Sequence, residues 1–350
     1  MKVAAITKIG SLKDPDESKR GRVELIEQPE PEVGDEDIKI KVSYCAICGS
    51  DPHVAEGAFG PNVPQTLGHE ISGVIEELGK NAVKKGFKVG DRVAGNFLRF
   101  CGTCYYCQNE QQQFCLHAGE RKSPGMAESL VWHESQAYKL PDNVSLKAGC
   151  MLEPLSVALR IADKISPKTG SRIAISGGGP IGLLALQTLR LSGATSLTLI
   201  EPIESRRKLA LRFGAKHTID PLNQSVRDKS LEITEGFGFD VAVDVSGVPA
   251  AVAELPPITA KGGTILFGAM YPVDYEMPLN LFKYCYRNDL TITGLFLSPY
   301  TFPRAVQLLD YIDLEPFIQK VFPLSDISQA FAAHMTGQFP KILIRCNEAD

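Results

Sequence analysis

The first 150 residues alternate short apolar runs with turns that are rich in glycine and proline. Three of these runs have the length and the β-branched content of strands: IKIKVSYC at 38–45, ISGVIEEL at 71–78 and DRVAGNFL at 91–98. Apolar positions spaced three or four residues apart, which would indicate helices, are almost missing from this part of the chain. We therefore expect an all-β region.

The pattern changes near residue 166, where apolar strands begin to alternate with helical segments. A strand, a glycine-rich turn, a helix and a second strand follow one another, which is the order of a βαβ unit. The later apolar runs are typical of strands that are buried on both faces. The segments are RIAIS (172–176), PIGLLALQTLRLSG (180–193), SLTLIE (196–201), SRRKLALRFG (205–214), FDVAVDVSG (239–247), GGTILFGAM (262–270) and LTITGLF (290–296). They predict an α/β fold with a doubly wound parallel sheet of about six strands.

The last fifty residues predict two more helices and a final strand. The helices are expected at 302–312 and 325–335, with Ser325 as the N-cap of the second. The strand is ILIR at 342–345. No internal repeat or low-complexity tract is present.

Composition limits the class of protein. The chain has 350 residues, of which 44% are hydrophobic and 22% are charged, so we expect two globular domains. The net charge of −4 offers no broad basic surface for nucleic acid or an anionic membrane. Neither a secretion signal nor a run of about 20 apolar residues occurs, and we expect a soluble, cytoplasmic protein.

Four of the nine cysteines lie within fifteen positions. Cys101, Cys104, Cys107 and Cys115 form C-x2-C-x2-C-x7-C, and four thiolates on one loop satisfy a closed tetrahedral zinc site with no open position for a substrate. An iron–sulfur cluster or an accidental grouping are the alternatives. We interpret the quartet as a structural zinc site that stabilises its loop.

A glycine-rich turn follows the strand at 172–176. Gly177, Gly179 and Gly182 form G-x-G-x-x-G at the start of a helix, which is the setting of a dinucleotide-binding turn. Pro180 and Ile181 complete the turn, whose helix N–H groups would face a pyrophosphate. Glu201, 19 residues after Gly182, is placed to accept the adenosine ribose hydroxyls. We expect NAD for this reason, whereas Arg206 and Arg207 keep NADP open as the alternative.

Three further residues have chemistry suited to a second metal site. Cys48 lies in CGSD, His69 in GHE and Glu153 in EPLSV. Each residue taken alone has an ordinary structural explanation, as a buried thiol, a satisfied polar side chain or the end of a loop.

Taken together, CGSD, GHE-x-x-G, GDRV, the cysteine quartet, EPLSV and GGGPIG resemble the zinc-dependent medium-chain alcohol dehydrogenases, in family order and over nearly the whole chain. EPLSV is similar to the sorbitol or polyol dehydrogenase branch. The resemblance implies a GroES-like β catalytic domain at 1–156, completed by 297–350, and a Rossmann domain at 157–296.

The resemblance also implies the roles of the site residues. Cys48, His69 and Glu153 would hold a catalytic zinc, directly or with Glu153 acting through water, and Glu70 would be a neighbouring carboxylate. Ser50 and His53 would relay a proton to solvent. With the quartet, this makes two zinc ions per chain. Zinc would polarise the substrate hydroxyl while a hydride passes to NAD.

The expected reaction is therefore oxidation of a secondary alcohol of a polyol, sugar derivative or sugar phosphate to a ketone. A threonine- or diol-type dehydrogenase is the alternative, and a non-catalytic relative of the fold is a more distant one. The family's polyol-holding Arg–Tyr pair is replaced by Phe296, Leu297 and Ser298, which makes sorbitol itself doubtful.

Three weaker expectations complete the analysis. The connection after Cys115 is short and carries Arg121 and Lys122, which form either a solvated charged turn or a contact with an anionic group of the substrate. Lys341 would reach the cofactor pyrophosphate. The apolar strand at 262–270 would be a sheet edge that pairs across a two-fold axis, as the resemblance implies, giving a homodimer or homotetramer.

Overall fold

A computed structural model describes residues 1–119 and 123–347 of the chain. The chain divides into two compact units. Unit 1 contains residues 1–153 and 302–350, so that both ends of the chain contribute to it, and unit 2 contains residues 154–301.

The strands are numbered in chain order. They are β1 Lys2–Lys8, β2 Arg22–Glu27, β3 Asp37–Ala46, β4 Gln65–Thr66, β5 Glu70–Leu78, β6 Arg92–Gly95, β7 Ser129–His133, β8 Ala137–Lys139, β9 Arg172–Ser176, β10 Ser196–Ile200, β11 His217–Ile219, β12 Phe239–Asp244, β13 Thr259–Phe267, β14 Thr291–Gly294, β15 Ile318–Pro323 and β16 Lys341–Arg345.

The helices are numbered in the same way. They are α1 Asp51–Ala55, α2 Tyr105–Gln108, α3 Leu146–Gly149, α4 Leu152–Ile165, α5 Pro180–Leu191, α6 Glu204–Arg212, α7 Val226–Ile233, α8 Pro249–Ala253, α9 Leu255–Ile258, α10 Phe302–Leu308 and α11 Ile327–Met335. A π-helical turn spans Phe282–Arg287, and short 3-10 turns lie at 112–114, 134–136, 315–317 and 324–326.

Unit 1 is built on a seven-stranded sheet in which β3 is the central element. Its main path runs β15-β16-β3-β5-β6-β8, and β7 also pairs with β3. A smaller sheet of β2, β1 and β4 packs with it around a core that includes Ile40, Ile71, Trp132 and Ile344. The strands predicted at 38–45, 71–78 and 342–345 correspond to β3, β5 and β16.

Unit 2 is a parallel sheet with helices between its strands. The strand order is β11-β10-β9-β12-β13-β14, and the pairs are parallel throughout. The order reverses direction between β9 and β12, which creates a crevice at their carboxyl ends. The predicted doubly wound sheet is therefore confirmed.

Three details of the sequence prediction were wrong. The segment at 262–270 does not form a sheet edge, because β13 lies between β12 and β14, and β14 is the edge strand. The N-cap of α11 is Asp326 rather than Ser325, since a 3-10 turn extends to Asp326. The strand predicted at 91–98 is limited to β6, which pairs with β5 and with β8 over three residues each.

None of the helices within residues 1–119 and 123–347 has both the length and the apolar character that are needed to cross a membrane.

Candidate active site and metal centres

Strand pairing in unit 1 brings Cys48 and His69 together. β3 and β5 are antiparallel and pair Ala46 with Glu70. Cys48 follows the end of β3, and His69 precedes the start of β5, so the two residues meet at the same end of the strand pair. One ligand atom from each of Cys48, His69 and Glu70 lies within 4.8 Å of the other two. This group can hold a metal ion.

Asp51 supports this cluster from behind. Its side chain is 2% exposed, and its Oδ2 accepts a hydrogen bond of 2.8 Å from the backbone N–H of Cys48. Its Oδ1 lies 3.8 Å from Nδ1 of His69, which leaves Nε2 of the ring for a metal. Burial raises the pKa of Asp51 to about 6. The sequence analysis quoted Asp51 only as part of CGSD; a carboxylate three residues after a candidate ligand was the signal for its role.

Glu70 is bound to a buried cation. Nζ of Lys341, the first residue of β16, lies 2.9 and 2.7 Å from the two carboxylate oxygens of Glu70. The same Nζ donates to the carbonyl oxygen of Ile47 at 3.2 Å. Burial alone would lower the pKa of Lys341, but Glu70 raises it above its ordinary value. Lys341 therefore serves this cluster, in place of the pyrophosphate contact expected from the sequence.

Glu153 lies in the first turn of α4 and is buried. It is not part of the three-residue group found among the described residues, although its charge acts on His69. Burial raises the pKa of Glu153 to about 7, His69 lowers it, and Glu70 raises it further. For His69 itself, burial lowers the pKa, whereas Cys48 and Asp51 raise it well above the usual value.

These charges fit a divalent cation. Asp51, Glu70 and Glu153 are three buried carboxylates beside a thiol, and Lys341 and His69 are the nearby groups that carry positive charge. An excess of buried negative charge is costly unless a cation balances it. Sulfur, imidazole nitrogen and carboxylate oxygen together form a typical zinc ligand set. The residues present therefore fit zinc.

Ser50 and His53 lie beside the cluster on α1. Ser50 is the N-cap residue of the helix, and His53 is its third residue. Nδ1 of His53 is 3.5 Å from a carboxylate oxygen of Glu56, and the His53 side chain is 43% exposed. This exposure suits a group that exchanges protons with water, and the relay role remains a prediction.

The four sulfurs of the cysteine quartet form a second candidate metal-binding group, in which the four atoms lie within 4.8 Å of one another. Sγ of Cys101 lies 3.9 Å from Sγ of Cys107. A zinc–sulfur bond of about 2.3 Å gives a tetrahedral edge of about 3.8 Å, so the spacing fits zinc. The backbone N–H groups of Thr103 and Cys104 donate to Cys101 and lower its pKa to about 5, which favours the thiolate.

The glycine-rich turn in unit 2 has the shape that a pyrophosphate requires. A Cβ on Gly182 would lie 1.9 Å from the carbonyl oxygen of Gly177, so glycine is obligatory where the helix packs on the turn. Gly179, the N-cap of α5, has no atom within 4 Å of its Cβ position. Pro180 and Ile181 begin the helix, whose free N–H groups face this open space.

Glu201 lies next to this turn. Its Oε2 accepts a hydrogen bond of 2.6 Å from the N–H of Gly178, and its Oε1 accepts one of 2.8 Å from Ile203. Arg206 lies 3.9 Å from the carboxylate. Arg207 is engaged elsewhere, because its guanidinium donates to the carbonyl oxygens of Glu201 and Pro202 and pairs with Asp220 at 3.0 Å.

Arg121 and Lys122, for which an anion-binding role was expected, lie outside the described residues. Ser298, at the position matching the polyol-holding pair, is buried, and its hydroxyl is 2.7 Å from that of Ser156.

Comparison with known proteins identifies the family. The alcohol dehydrogenase GroES-like domain matches residues 34–142, and the zinc-binding dehydrogenase family matches residues 180–311. A D-arabitol-phosphate dehydrogenase of Enterococcus avium is 35% identical over 327 residues, which cover 91% of this chain and 92% of the relative. The chain belongs to the zinc-dependent medium-chain alcohol dehydrogenases. It is an oxidoreductase with a GroES-like and a Rossmann domain.

Other relatives of this dehydrogenase have different substrates in their names. A 2-dehydro-3-deoxy-L-galactonate 5-dehydrogenase of Pseudoalteromonas atlantica is 34% identical and covers 91% of this chain and 93% of its own. An L-threonine 3-dehydrogenase of Cronobacter sakazakii is 30% identical and covers 91% and 95%.

Two solved structures extend the likeness to the fold. A zinc-binding dehydrogenase structure from Clostridium scindens is 33% identical, with a TM-score of 0.91 and 99% of both chains covered. One from Sinorhizobium meliloti, bound to NADP, is 29% identical, with a TM-score of 0.86 and 98% and 99% covered.

We predict that Cys104→Ser removes one zinc ion per chain and lowers the thermal midpoint by about 5 °C or more, because one thiolate of a closed site is lost. Metal analysis and calorimetry measure both effects. Tyr105→Phe is the control, since Tyr105 is 70% exposed on the same loop and lies outside both metal-binding groups. An unchanged zinc content in Cys104→Ser would contradict the structural zinc.

Proposed function

We propose that this dehydrogenase oxidises a secondary alcohol of a polyol, sugar derivative or sugar phosphate to a ketone and passes the hydride to NAD. The observation that carries the proposal is the partly buried Cys48–His69 cluster, which is supported by Asp51 and lies among buried carboxylates whose charge a divalent cation would offset. The dinucleotide-type turn of unit 2 would bind the nicotinamide cofactor, which accepts the hydride.

Cys48, His69 and Glu153 are the proposed ligands of a catalytic zinc. Glu70 is the alternative carboxylate, but its two oxygens are held by Lys341, which favours Glu153 for direct or water-mediated binding. When bound, zinc supplies Lewis acidity that makes the substrate hydroxyl easier to deprotonate. Asp51 faces Nδ1 of His69, and Ser50 with His53 would carry the released proton toward water.

A second, structural zinc is proposed at the cysteine quartet. Four thiolates leave no position for a substrate, so the site would stabilise the loop at 101–115 without taking part in the reaction.

NAD is the proposed cofactor. The carboxylate of Glu201 is suited to accept ribose hydroxyls and would repel a 2′-phosphate. Arg207, one of the two residues that keep NADP open, is held by carbonyl oxygens and Asp220, and Arg206 faces Glu201. The neighbour from Sinorhizobium meliloti was solved with NADP, and NADP is therefore the alternative that an assay must include.

The substrate class is drawn from two observations. The stretch that matches the polyol-holding pair reads Phe296, Leu297 and Ser298, and the Ser298 hydroxyl is 2.7 Å from that of Ser156, which disfavours sorbitol itself. Two relatives are named for a phosphorylated polyol and for a sugar acid, so an anionic sugar derivative is a suitable substrate. A threonine- or diol-type activity is the second candidate, because a relative at 30% identity is an L-threonine 3-dehydrogenase. A non-catalytic relative would be expected to lack one of the proposed zinc ligands, and Cys48, His69 and Glu153 are all present in this chain.

We also propose a homodimer in the cytoplasm, formed through the edge strand β14, with a tetramer as a further assembly. Three of its four residues are exposed. Phe282 and Tyr286 on the nearby π-helical turn stack at 5.6 Å and are 66% and 77% exposed. An open strand edge next to exposed aromatic rings is suited to a self-complementary two-fold contact.

We expect Cys48→Ser to lower kcat/KM by at least about 10³-fold, because the catalytic zinc loses a ligand, while the Kd for NADH stays within about twofold. The assay is reduction of NAD or NADP with polyols, sugar acids, sugar phosphates, diols and threonine, with and without a zinc chelator. Tyr105→Phe is again the control. Normal turnover by Cys48→Ser would refute the catalytic metal assignment.

Glu201→Gln is expected to reduce the preference for NAD over NADP by about tenfold, measured as the ratio of their kcat/KM values. The glutamine oxygen can accept from Gly178 N–H, but its amide nitrogen cannot accept from Ile203 N–H, so the thermal midpoint is measured beside the ratio to detect lost support of the turn. An unchanged ratio would mean that the Glu201 charge does not select the cofactor.

The double variant Phe282→Glu and Tyr286→Glu should shift the protein from dimer to monomer in sedimentation, because like charges would face each other across the two-fold axis. Leu222→Glu is the matched control, since Leu222 is 77% exposed elsewhere in unit 2. A wild-type monomer, or a variant that remains a dimer, would contradict the β14 interface.

A further inference from the structure

Asp244, the last residue of β12, is a fully buried carboxylate that the metal centre does not use. Its Oδ1 accepts a hydrogen bond of 2.7 Å from the Ser246 hydroxyl. Its Oδ2 accepts one of 2.8 Å from the Tyr271 hydroxyl and one of 3.2 Å from the N–H of Gly247. Tyr271 follows β13, so one carboxylate joins the loops after two neighbouring strands.

The two loops also contact each other directly. Gly247 has a φ of +69°, and a Cβ there would lie 2.4 Å from the carbonyl oxygen of Met270. The Ser246 hydroxyl that donates to Asp244 also accepts from the N–H of Val248 at 3.1 Å. The loops at 245–248 and 268–271 therefore form one connected structure around Asp244.

This structure touches the glycine-rich turn. A Cβ on Gly177 would lie 2.8 Å from the backbone nitrogen of Ser246. The N–H of Val245 donates to the carbonyl oxygen of Ser176 at 2.9 Å. Three loops, after β9, β12 and β13, thus meet at the crevice where the strand order reverses.

The position of Glu201 indicates which half of a dinucleotide these loops would meet. Glu201 follows β10, which lies on one side of β9, and β12 and β13 lie on the other side. With the pyrophosphate at Gly179 and the adenosine at Glu201, the second nucleoside extends over the loops after β12 and β13.

We infer that Asp244, Tyr271 and Ser246 are positioning residues for the nicotinamide half of the cofactor. The inference rests on the proposed dinucleotide-dependent function. Burial and the Asp244 charge both raise the pKa of Tyr271, so its hydroxyl stays protonated and donates. Loops that are ordered before the ligand arrives avoid an ordering cost on binding, which is how this network raises affinity.

The test compares Tyr271→Phe with wild type in calorimetric titrations with NADH and with ADP, which contains the adenosine and both phosphates but no nicotinamide nucleoside. Loss of one hydrogen bond to a buried carboxylate is expected to raise the Kd for NADH about tenfold and to leave the Kd for ADP within about twofold. Ser246→Ala is expected to act in the same direction, and it provides a second variant if Tyr271→Phe does not fold.

Tyr275→Phe is the matched control. The Tyr275 hydroxyl donates to the carbonyl oxygen of Pro249 at 3.2 Å and does not contact Asp244, so both Kd values should stay unchanged. An unaltered NADH affinity in Tyr271→Phe and Ser246→Ala, or equal losses of affinity for NADH and ADP, would overturn this positioning role and leave the proposed function intact. A wild-type protein that binds neither NADH nor NADPH would instead overturn the proposed function.

Discussion

The pairing of three strands, β16 with β3 and β3 with β5, determines where the candidate metal centre lies. β3 pairs Ala46 with Glu70 on one side and with Leu343 on the other. These registers place residues from the start, the middle and the end of unit 1's sequence at one end of the sheet. A slip of one residue in either pair would turn the side chains to the opposite face and separate Glu70 from Lys341.

The charges gathered by this pairing are costly in a protein without metal. Burial raises the pKa values of Asp51 and Glu153, the charge of Glu70 raises them further, and Lys341 pairs directly with Glu70. A buried ion pair is weak support for stability, because desolvation offsets most of the attraction. We therefore propose that these buried charged residues serve to bind a metal rather than to stabilise the folded protein.

The two units use a buried aspartate in the same physical way. Asp51 accepts from the backbone N–H of Cys48, a proposed metal ligand, and faces His69, and Asp244 accepts from three donors in two loops. In each unit, a buried carboxylate forms hydrogen bonds to the residues of a loop at the candidate site. These bonds tie the loop to the adjoining sheet and limit its movement.

Local spacing in the sequence was enough to predict the cysteine quartet, the glycine-rich turn, the six-stranded sheet and the family, because those features depend on residues close together in the chain or on a regular period. Only the tertiary structure decided that Glu70 rather than Glu153 groups with Cys48 and His69, that Lys341 holds Glu70, and that β14 rather than β13 is the sheet edge. These relations depend on strand register between segments as much as 271 residues apart, and a buried polar group takes whichever partner that register brings within reach.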